Sequence, residues 1–300
     1  ATPLQMLISQ CAEKIFKGET PSAQDWDEHL IAAHKLAPSM TPYAFAGFQN
    51  LKGQNSYQVL ADSLGQIKSS KMNILDLGCG DGHLISYLLP KLVGGSQVIG
   101  LDMSEAELEI ANNTYSEPNV SFVIARAQDL PIDDESQDVV LCHMALMLMA
   151  PVEIVAEEIA RVLKPGGIFS AVMTNPKARQ KFWGEVQGFM FDFIDSHFPK
   201  IKEARMGDSR VYTNEGLNEF FTKELDFSQD IEGENFELQI EGSPENVWQI
   251  AKDMYLVGML PPDKKQELEI ALKSFITKHP QVSKGQSFGF PMRKITISKL

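Results

Sequence analysis

Cysteine is scarce in this 300-residue sequence, with Cys11, Cys79 and Cys142 the only three. An odd, widely spaced set supports neither a disulfide framework nor a Cys-x-x-Cys metal site, and it predicts reduced thiols in a cytoplasmic protein. Long apolar runs are also missing. Nothing approaches the roughly 18 uninterrupted apolar residues of a membrane span. No basic segment followed by an apolar stretch opens the chain, so a secretory leader is not expected, although a leader already removed would leave the same sequence. Cations are few as well: 27 Lys and Arg stand against 40 Asp and Glu, a formal charge of −13. Nucleic-acid binding depends on Lys and Arg neutralising phosphates, so no nucleic-acid partner is expected. The short clusters Lys68–Lys71 and Arg293–Lys294 are read as solvated charge. The acid run Asp133-Asp134-Glu135 lacks a further spaced ligand and is read as a solvated turn, with no metal site. There is no internal repeat, and nothing defines an oligomeric state.

Apolar residues, at 43%, suffice for one large domain with additions. Residues 1–70 read as helical near 4–17, 24–36 and 54–68, with breaks at Thr20-Pro21-Ser22 and between Pro38 and Pro42. From Asn73 the pattern changes to short apolar strands alternating with helices: Ile74–Leu77, Val98–Leu101, Val120–Ala125, Val139–Cys142 and Ile168–Met173. That alternation predicts an α/β fold with a parallel sheet covered on both faces. Between the fourth and fifth strands, Val152, Val155, Ile159 and Val162 line one helix face. Pro151 suits the first turn of that helix, and Gly166-Gly167 its end. The tail adds helices near 178–196, 214–223, 245–256 and 262–277, and strands near 236–241 and Met292–Ser298.

The strongest local signal is Asp76-Leu-Gly78-Cys79-Gly80-Asp-Gly82, between a strand and a helix. Glycines there let the backbone turn sharply and approach a ligand. The following helix aims free N–H groups at the same place. The spacing is Gly-x-Gly-x-Gly, and His83 stands where the dinucleotide fingerprint requires its third glycine. Asp102 ends the second strand and can accept from the ribose hydroxyls of an adenosine ligand. The competing reading makes Asp102 a helix cap, but Ser104 with Glu107 has capping-box spacing and fills that role better.

Taken in order, Ile74–Gly82, Val98–Asp102, Ala127-Gln128-Asp129-Leu130-Pro131, Asp138–Cys142 and Val162–Gly167 resemble the class I S-adenosylmethionine-dependent methyltransferases. The closest group is the small-molecule, ubiquinone/menaquinone-type set. The resemblance covers about residues 60–175 and implies a doubly wound, Rossmann-like sheet of seven strands with the last one antiparallel. It implies S-adenosyl-L-methionine as cofactor, with its methionine part over Asp76, Gly78, Cys79, Gly80 and Gly82 and its ribose on Asp102. Met103 would pack against adenine, with Ala127 and Gln128 nearby and Cys142 at the methionine end. Two positions depart from the family pattern. Arg126 stands where an acid usually meets the adenine amino group, and Gln137 where Phe is common.

The acceptor side is less legible. His143 is a candidate base or substrate contact, against a plain structural histidine. Met144 and Met147 are candidate pocket walls or core. Tyr43 and Phe45 fall in an N-terminal helical lid expected over 1–58, ahead of a methyltransferase domain over 59–300. Trp183 falls in a helical insertion expected at about 176–212. These aromatics are candidate pocket or core residues. The expected activity is methyl transfer to a small, fairly apolar organic acceptor. Two other readings keep the cofactor site: a non-catalytic regulatory binder, and a cyclase or decarboxylase using the cofactor electrostatically.

Overall fold

The computed structural model describes residues 3–67, 70–178, 180–199, 207–222 and 224–300. Lys68 and Ser69 of the basic cluster, and 200–206 of the expected insertion, lie outside the described residues. Seven strands form one sheet: β1 Asn73–Leu77, β2 Gln97–Asp102, β3 Val120–Ile124, β4 Gln137–His143, β5 Leu163–Thr174, β6 Glu232–Glu241 and β7 Ser287–Ser298. The helices are α1 Pro3–Phe16, α2 Ala23–Leu36, α3 Met40–Phe45, α4 Ser56–Ala61, α5 Ile85–Leu88, α6 Glu105–Thr114 and α7 Val152–Val162. After β5 come α8 Lys181–His197, α9 Asn214–Leu217, α10 Pro244–Ala251, α11 Tyr255–Gly258, α12 Pro262–Thr277 and α13 Pro280–Ser283.

The strand order is β3-β2-β1-β4-β5-β7-β6. β1 pairs in parallel with β2 and β4, as do β2 with β3 and β4 with β5. β7 runs antiparallel to β5, from Thr174 opposite Met292 to Ile168 opposite Ser298. This is the predicted seven-stranded topology. The order reverses between β1 and β4, which in a doubly wound sheet opens a crevice at the carboxyl ends of those strands. The chain divides into two compact units. One holds Gln54–Lys177, Met206–Phe236 and Met292–Leu300; the other holds Ala1–Gly53, Ala178–Arg205 and Glu237–Pro291.

Helix α7 shows why the first unit holds together. Val152, Val155, Ile159 and Val162 are all at or below 1% exposure, as the periodicity predicts. Each such side chain contributes roughly 1.5–3 kcal/mol by leaving water. Its ends differ from expectation. Pro151 is the N-cap rather than a first-turn residue, and the helix stops at Val162, well before Gly166-Gly167. Lys299 Nζ donates to the carbonyls of Ala160 (2.7 Å) and Leu163 (2.6 Å), so the end needs no glycine cap. Gly166, at φ +82°, instead sits where β5 bulges between its pairings with Gln137 and Val139. Likewise the expected break at 38–42 contains α3, with Pro42 in its first turn, where a missing N–H costs nothing.

The same helix clamps the loop after β3. Arg161 donates to the carbonyls of Ile132 (2.7 Å) and Leu130 (2.9 Å), while Glu158 accepts from the Leu130 N–H at 2.7 Å. Arg161 also pairs with Glu158 and with Asp134 of the acid run. Arg161→Ala should therefore cost about 1–2 kcal/mol and speed amide exchange at Leu130. Arg161→Lys should rescue little, because a point charge cannot reproduce the guanidinium fork. Thermal melts and hydrogen exchange measure both outcomes.

Candidate cofactor and acceptor site

Past Leu77 the chain leaves β1 through three glycines in left-handed backbone: Gly78 (φ 71°), Gly80 (φ 54°) and Gly82 (φ 82°). Side chains are strained at such angles. Space is restricted too, since a Cβ on Gly78 would lie 2.9 Å from the Ala145 Cβ, and one on Gly82 would lie 2.9 Å from the Tyr115 ring. Gly80 differs, because its Cβ would meet only Glu107 Oε2, at 3.7 Å. The loop folds back over β2, with the N–H groups of Gly78 and Cys79 both donating to the Leu101 carbonyl. Asp102 completes the tie. Its Oδ2 accepts from the Gly80 N–H (2.9 Å) and its Oδ1 from the Ser104 N–H (2.8 Å). Ser104 is the N-cap of α6, accepting from the Glu107 N–H, so the cap falls to Ser104 as predicted.

Asp76 sits beneath this loop at 1% exposure, and its Oδ2 has no hydrogen-bond partner. Burial, then Asp102 and Asp81, push its carboxyl up to about 8. An orphaned acid beside a glycine turn that is open at Gly80 fits a ligand carrying positive charge. The thiols beside it are inert: Cys79 and Cys142 are buried, and burial raises both. Met103 is half-buried and Ala127 buried. Gln128 donates to the Ala150 carbonyl at 2.7 Å. Arg126 and Asp129 close the turn between them. Gln137, in its apolar slot, is buried with an unpartnered Oε1.

At the end of β4 the His143 ring is buried and stacked on Tyr57, centroids 3.7 Å apart. Its Nε2 meets the Ser56 hydroxyl at 2.9 Å. Burial, and to a lesser degree His83, press its pKa down to about 3, so the ring is neutral and a weak proton acceptor. His83 packs edge-on to Tyr57. Tyr87 stacks on Tyr57 and accepts from Asn55 Nδ2. Ser56, His83 and Tyr87 escaped the sequence reading. The only signal for them was Asn55 with Gln58, a capping box that fixes where α4 starts.

Met144 follows His143 at φ 53°, a left-handed angle that is rare for a methionine. It is half-buried against the core that contains Met147 and Cys142. The other acceptor candidates lie in the second unit. There Phe45 and Trp183 pack on Phe290, at 5.7 and 4.9 Å. Tyr43 is 65% exposed, with Lys252 Nζ 4.9 Å from its ring centre.

The Asp76 shift carries a pH signature. Its folded pKa of about 8 lies above the ordinary value of 3.8, so the folded state holds the proton more tightly than the unfolded chain does. Stability contributed by the protonated acid is complete at low pH and is lost as pH rises from about 4 to 8. Asp76→Asn should therefore gain on the parent protein across that window, by a few kcal/mol in the ligand-free state. Melts of both proteins at pH 5 and 8 measure the difference, and an equal offset at the two pH values would refute it.

Residues 75–171 match the family model for a methyltransferase domain. A phthiotriol/phenolphthiotriol dimycocerosates methyltransferase of Mycobacterium tuberculosis is 33% identical over 118 residues, 39% of this chain and 43% of that protein. The arsenite methyltransferase of Mus musculus is 36% identical over 137 residues, 38% of this chain and 36% of that protein. This chain thus spans less than half the length of either relative. The solved YcgJ protein of Bacillus subtilis superposes with a TM-score of 0.52 at 20% identity, over 81% of this chain and 97% of that one, and so shares the fold. Residues 75–171, about a third of the chain, are thus similar to the methyltransferase domain family, on a fold shared with the solved neighbour.

Proposed function

We propose that this protein transfers a methyl group from S-adenosylmethionine to a small, fairly apolar organic acceptor in the cytoplasm. The observation that carries the reading is the triple left-handed glycine turn held between two acids, one orphaned (Asp76) and one tied to the turn (Asp102). The bound cofactor supplies an electrophilic methyl carbon on a sulfonium, whose transfer is a direct displacement that needs no metal. The chain's part is binding and alignment. Asp102, at the end of β2 beside the turn, accepts from the ribose hydroxyls, and Asp76 faces the cationic methionine end. Met103, Ala127 and Gln128 flank adenine in the loop that Glu158 and Arg161 hold. With Arg126 in place of an acid, the adenine amino group is left to backbone carbonyls, Gln128 or Asp129.

The names of the two relatives specify different acceptors, so the shared segment does not set the acceptor. Residues 1–58 and about 176–212 both lie outside 75–171, and we assign acceptor choice to them. In this reading residues 1–58 act as a lid that excludes water from the sulfonium.

Calorimetry tests the cofactor assignment directly. S-adenosylmethionine and S-adenosylhomocysteine should bind, and NAD far more weakly; tight NAD binding with no response to S-adenosylhomocysteine would sink the proposal. Asp102→Ala should weaken S-adenosylhomocysteine by roughly 1.5–3 kcal/mol, the scale for hydrogen bonds to a charged acceptor. An unchanged affinity in a folded variant would make Asp102 a purely structural tie. Deleting residues 1–40 should leave cofactor binding intact and abolish turnover of the acceptor found by isotope-labelled methyl transfer. Full activity in the truncated protein would remove the lid from the account.

A further inference from the structure

Arg293, expected as solvated charge, is half-buried on β7, and its Nε is shut off from solvent with no hydrogen-bond partner. Among the described residues its one side-chain hydrogen bond runs from Nη2 to the Oδ1 of Asn214. Among the described residues no carboxylate lies within ion-pair distance of it. Glu215 is the acid that acts on it from farther off, and burial outweighs that acid, lowering the guanidinium below the usual arginine range. The neighbouring Lys294 behaves differently, pairing with Glu234 at 3.4 Å and donating to the Val59 carbonyl.

The surroundings are arranged for this side chain. A Cβ on Gly233 would lie 2.6 Å from Arg293 Nη2, so the guanidinium lies close across β6 at that point. Two residues on, and so on the same face, is Asn235, whose Oδ1 accepts from Nδ2 of the buried Asn175 just past β5. The guanidinium thus meets the neutral carboxamide of Asn214, lies on the β6 face that also carries Asn235, and among the described residues has no carboxylate paired with it. An arginine half out of water with so few acceptors is costly unless an anion completes it.

Its position in the sheet gives the anion a place. Arg293 pairs with Met173, one residue from the carboxyl end of β5. Counting across the sheet, His143 lies opposite Val172 and Val172 opposite Lys294. Asp76 lies opposite Leu141, which sets Gly78 level with His143. Three strand spacings, about 14 Å, therefore separate the glycine turn from the Arg293 row along one sheet edge. An acceptor of metabolite size, met halfway by an arginine side chain, spans that interval.

We propose that Arg293, with the carboxamides of Asn175 and Asn235, binds an anionic group on the acceptor, so that the acceptor is an apolar molecule carrying a single carboxylate or phosphate. This rests on the methyl-transfer reading for the word acceptor, but the anion site itself does not. A guanidinium takes either anion through two parallel N–H donors. The overall charge of −13 selects against polyanions and leaves one local cation for one anion.

The test uses the full chain saturated with S-adenosylhomocysteine, following the Arg293 Nε–H resonance, assigned by its loss in Arg293→Lys. Benzoate and inorganic phosphate serve as anionic probes and benzamide as the uncharged control, at constant ionic strength. Benzoate should shift the resonance saturably and benzamide should not, and in calorimetric titrations Arg293→Gln should weaken benzoate by at least about ten-fold, the scale for losing a charged hydrogen-bonding partner. Where the Gln variant melts early, Arg293→Lys replaces it and should also bind benzoate more weakly, since it keeps charge and loses the fork. A resonance unmoved by both anions, or moved equally by benzamide, overturns the site. In turnover, the labelled product should bear an anionic group, and Arg293→Gln should raise KM with kcat nearly unchanged. A neutral acceptor indifferent to the substitution overturns the assignment to acceptor binding. If no acceptor is methylated while benzoate still titrates Arg293, the methyl-transfer reading fails and the anion site stands.

Discussion

The hydrogen bond from the Gly80 N–H to Asp102 joins the end of β2 to the turn after β1, and the geometry of the site follows from it. Without it the turn would be tied to β2 through Gly78 and Cys79, whose N–H groups share the Leu101 carbonyl, with Gly82 held from the other side by the Tyr115 hydroxyl. With it, Gly80 is drawn toward β2 and its open side is presented to the crevice at the reversal of strand order. The same carboxylate accepts from Ser104, so α6 starts in register with the turn. One side chain thus sets both the turn and the helix start. The cost is electrostatic. Asp76, buried a short distance away, cannot easily ionise beside Asp102 and Asp81. A ligand that brings positive charge removes that cost, which is a physical reason for such a site to favour a sulfonium and ammonium over a neutral or anionic cofactor.

Much of this was legible in residues 73–175 because local chemistry and global topology agree there. The strands are continuous apolar runs, the turn is written in glycine and acid, and the α7 face repeats at helical spacing. Where reading failed, a distant residue had taken over a local role. Gly166-Gly167 look like a helix end, but Lys299, at the far end of the chain, already satisfies those carbonyls. Pro42 looks like a break, yet a proline in a first turn breaks nothing. Arg293 looks like surface charge because nothing nearby in sequence shows that its guanidinium will lie against Gly233, sixty positions earlier.

His143 shows a different limit. Its type and place after β4 fit a base, and sequence offers no way to see that Ser56 and Tyr57 will enclose it. Burial and the Tyr57 stack leave a neutral ring whose contacts position α4 beside the glycine turn. The site residues thus divide into those with an unpartnered buried polar atom (Asp76 and Arg293) and those, such as Asp102, that hold the turn still. On the proposed methyl-transfer reading, alignment rather than proton transfer is then the larger contribution of these residues.

The central claim is that the turn from Gly78 to Gly82, with Asp102, forms the cofactor cradle. Amide hydrogen exchange of the full chain with and without S-adenosylhomocysteine tests it most directly. The account predicts added protection at 78–82, 102–104 and 126–130, with little change at the Lys299-capped end of α7. Protection that leaves the glycine turn untouched, at ligand concentrations that saturate binding, would contradict it.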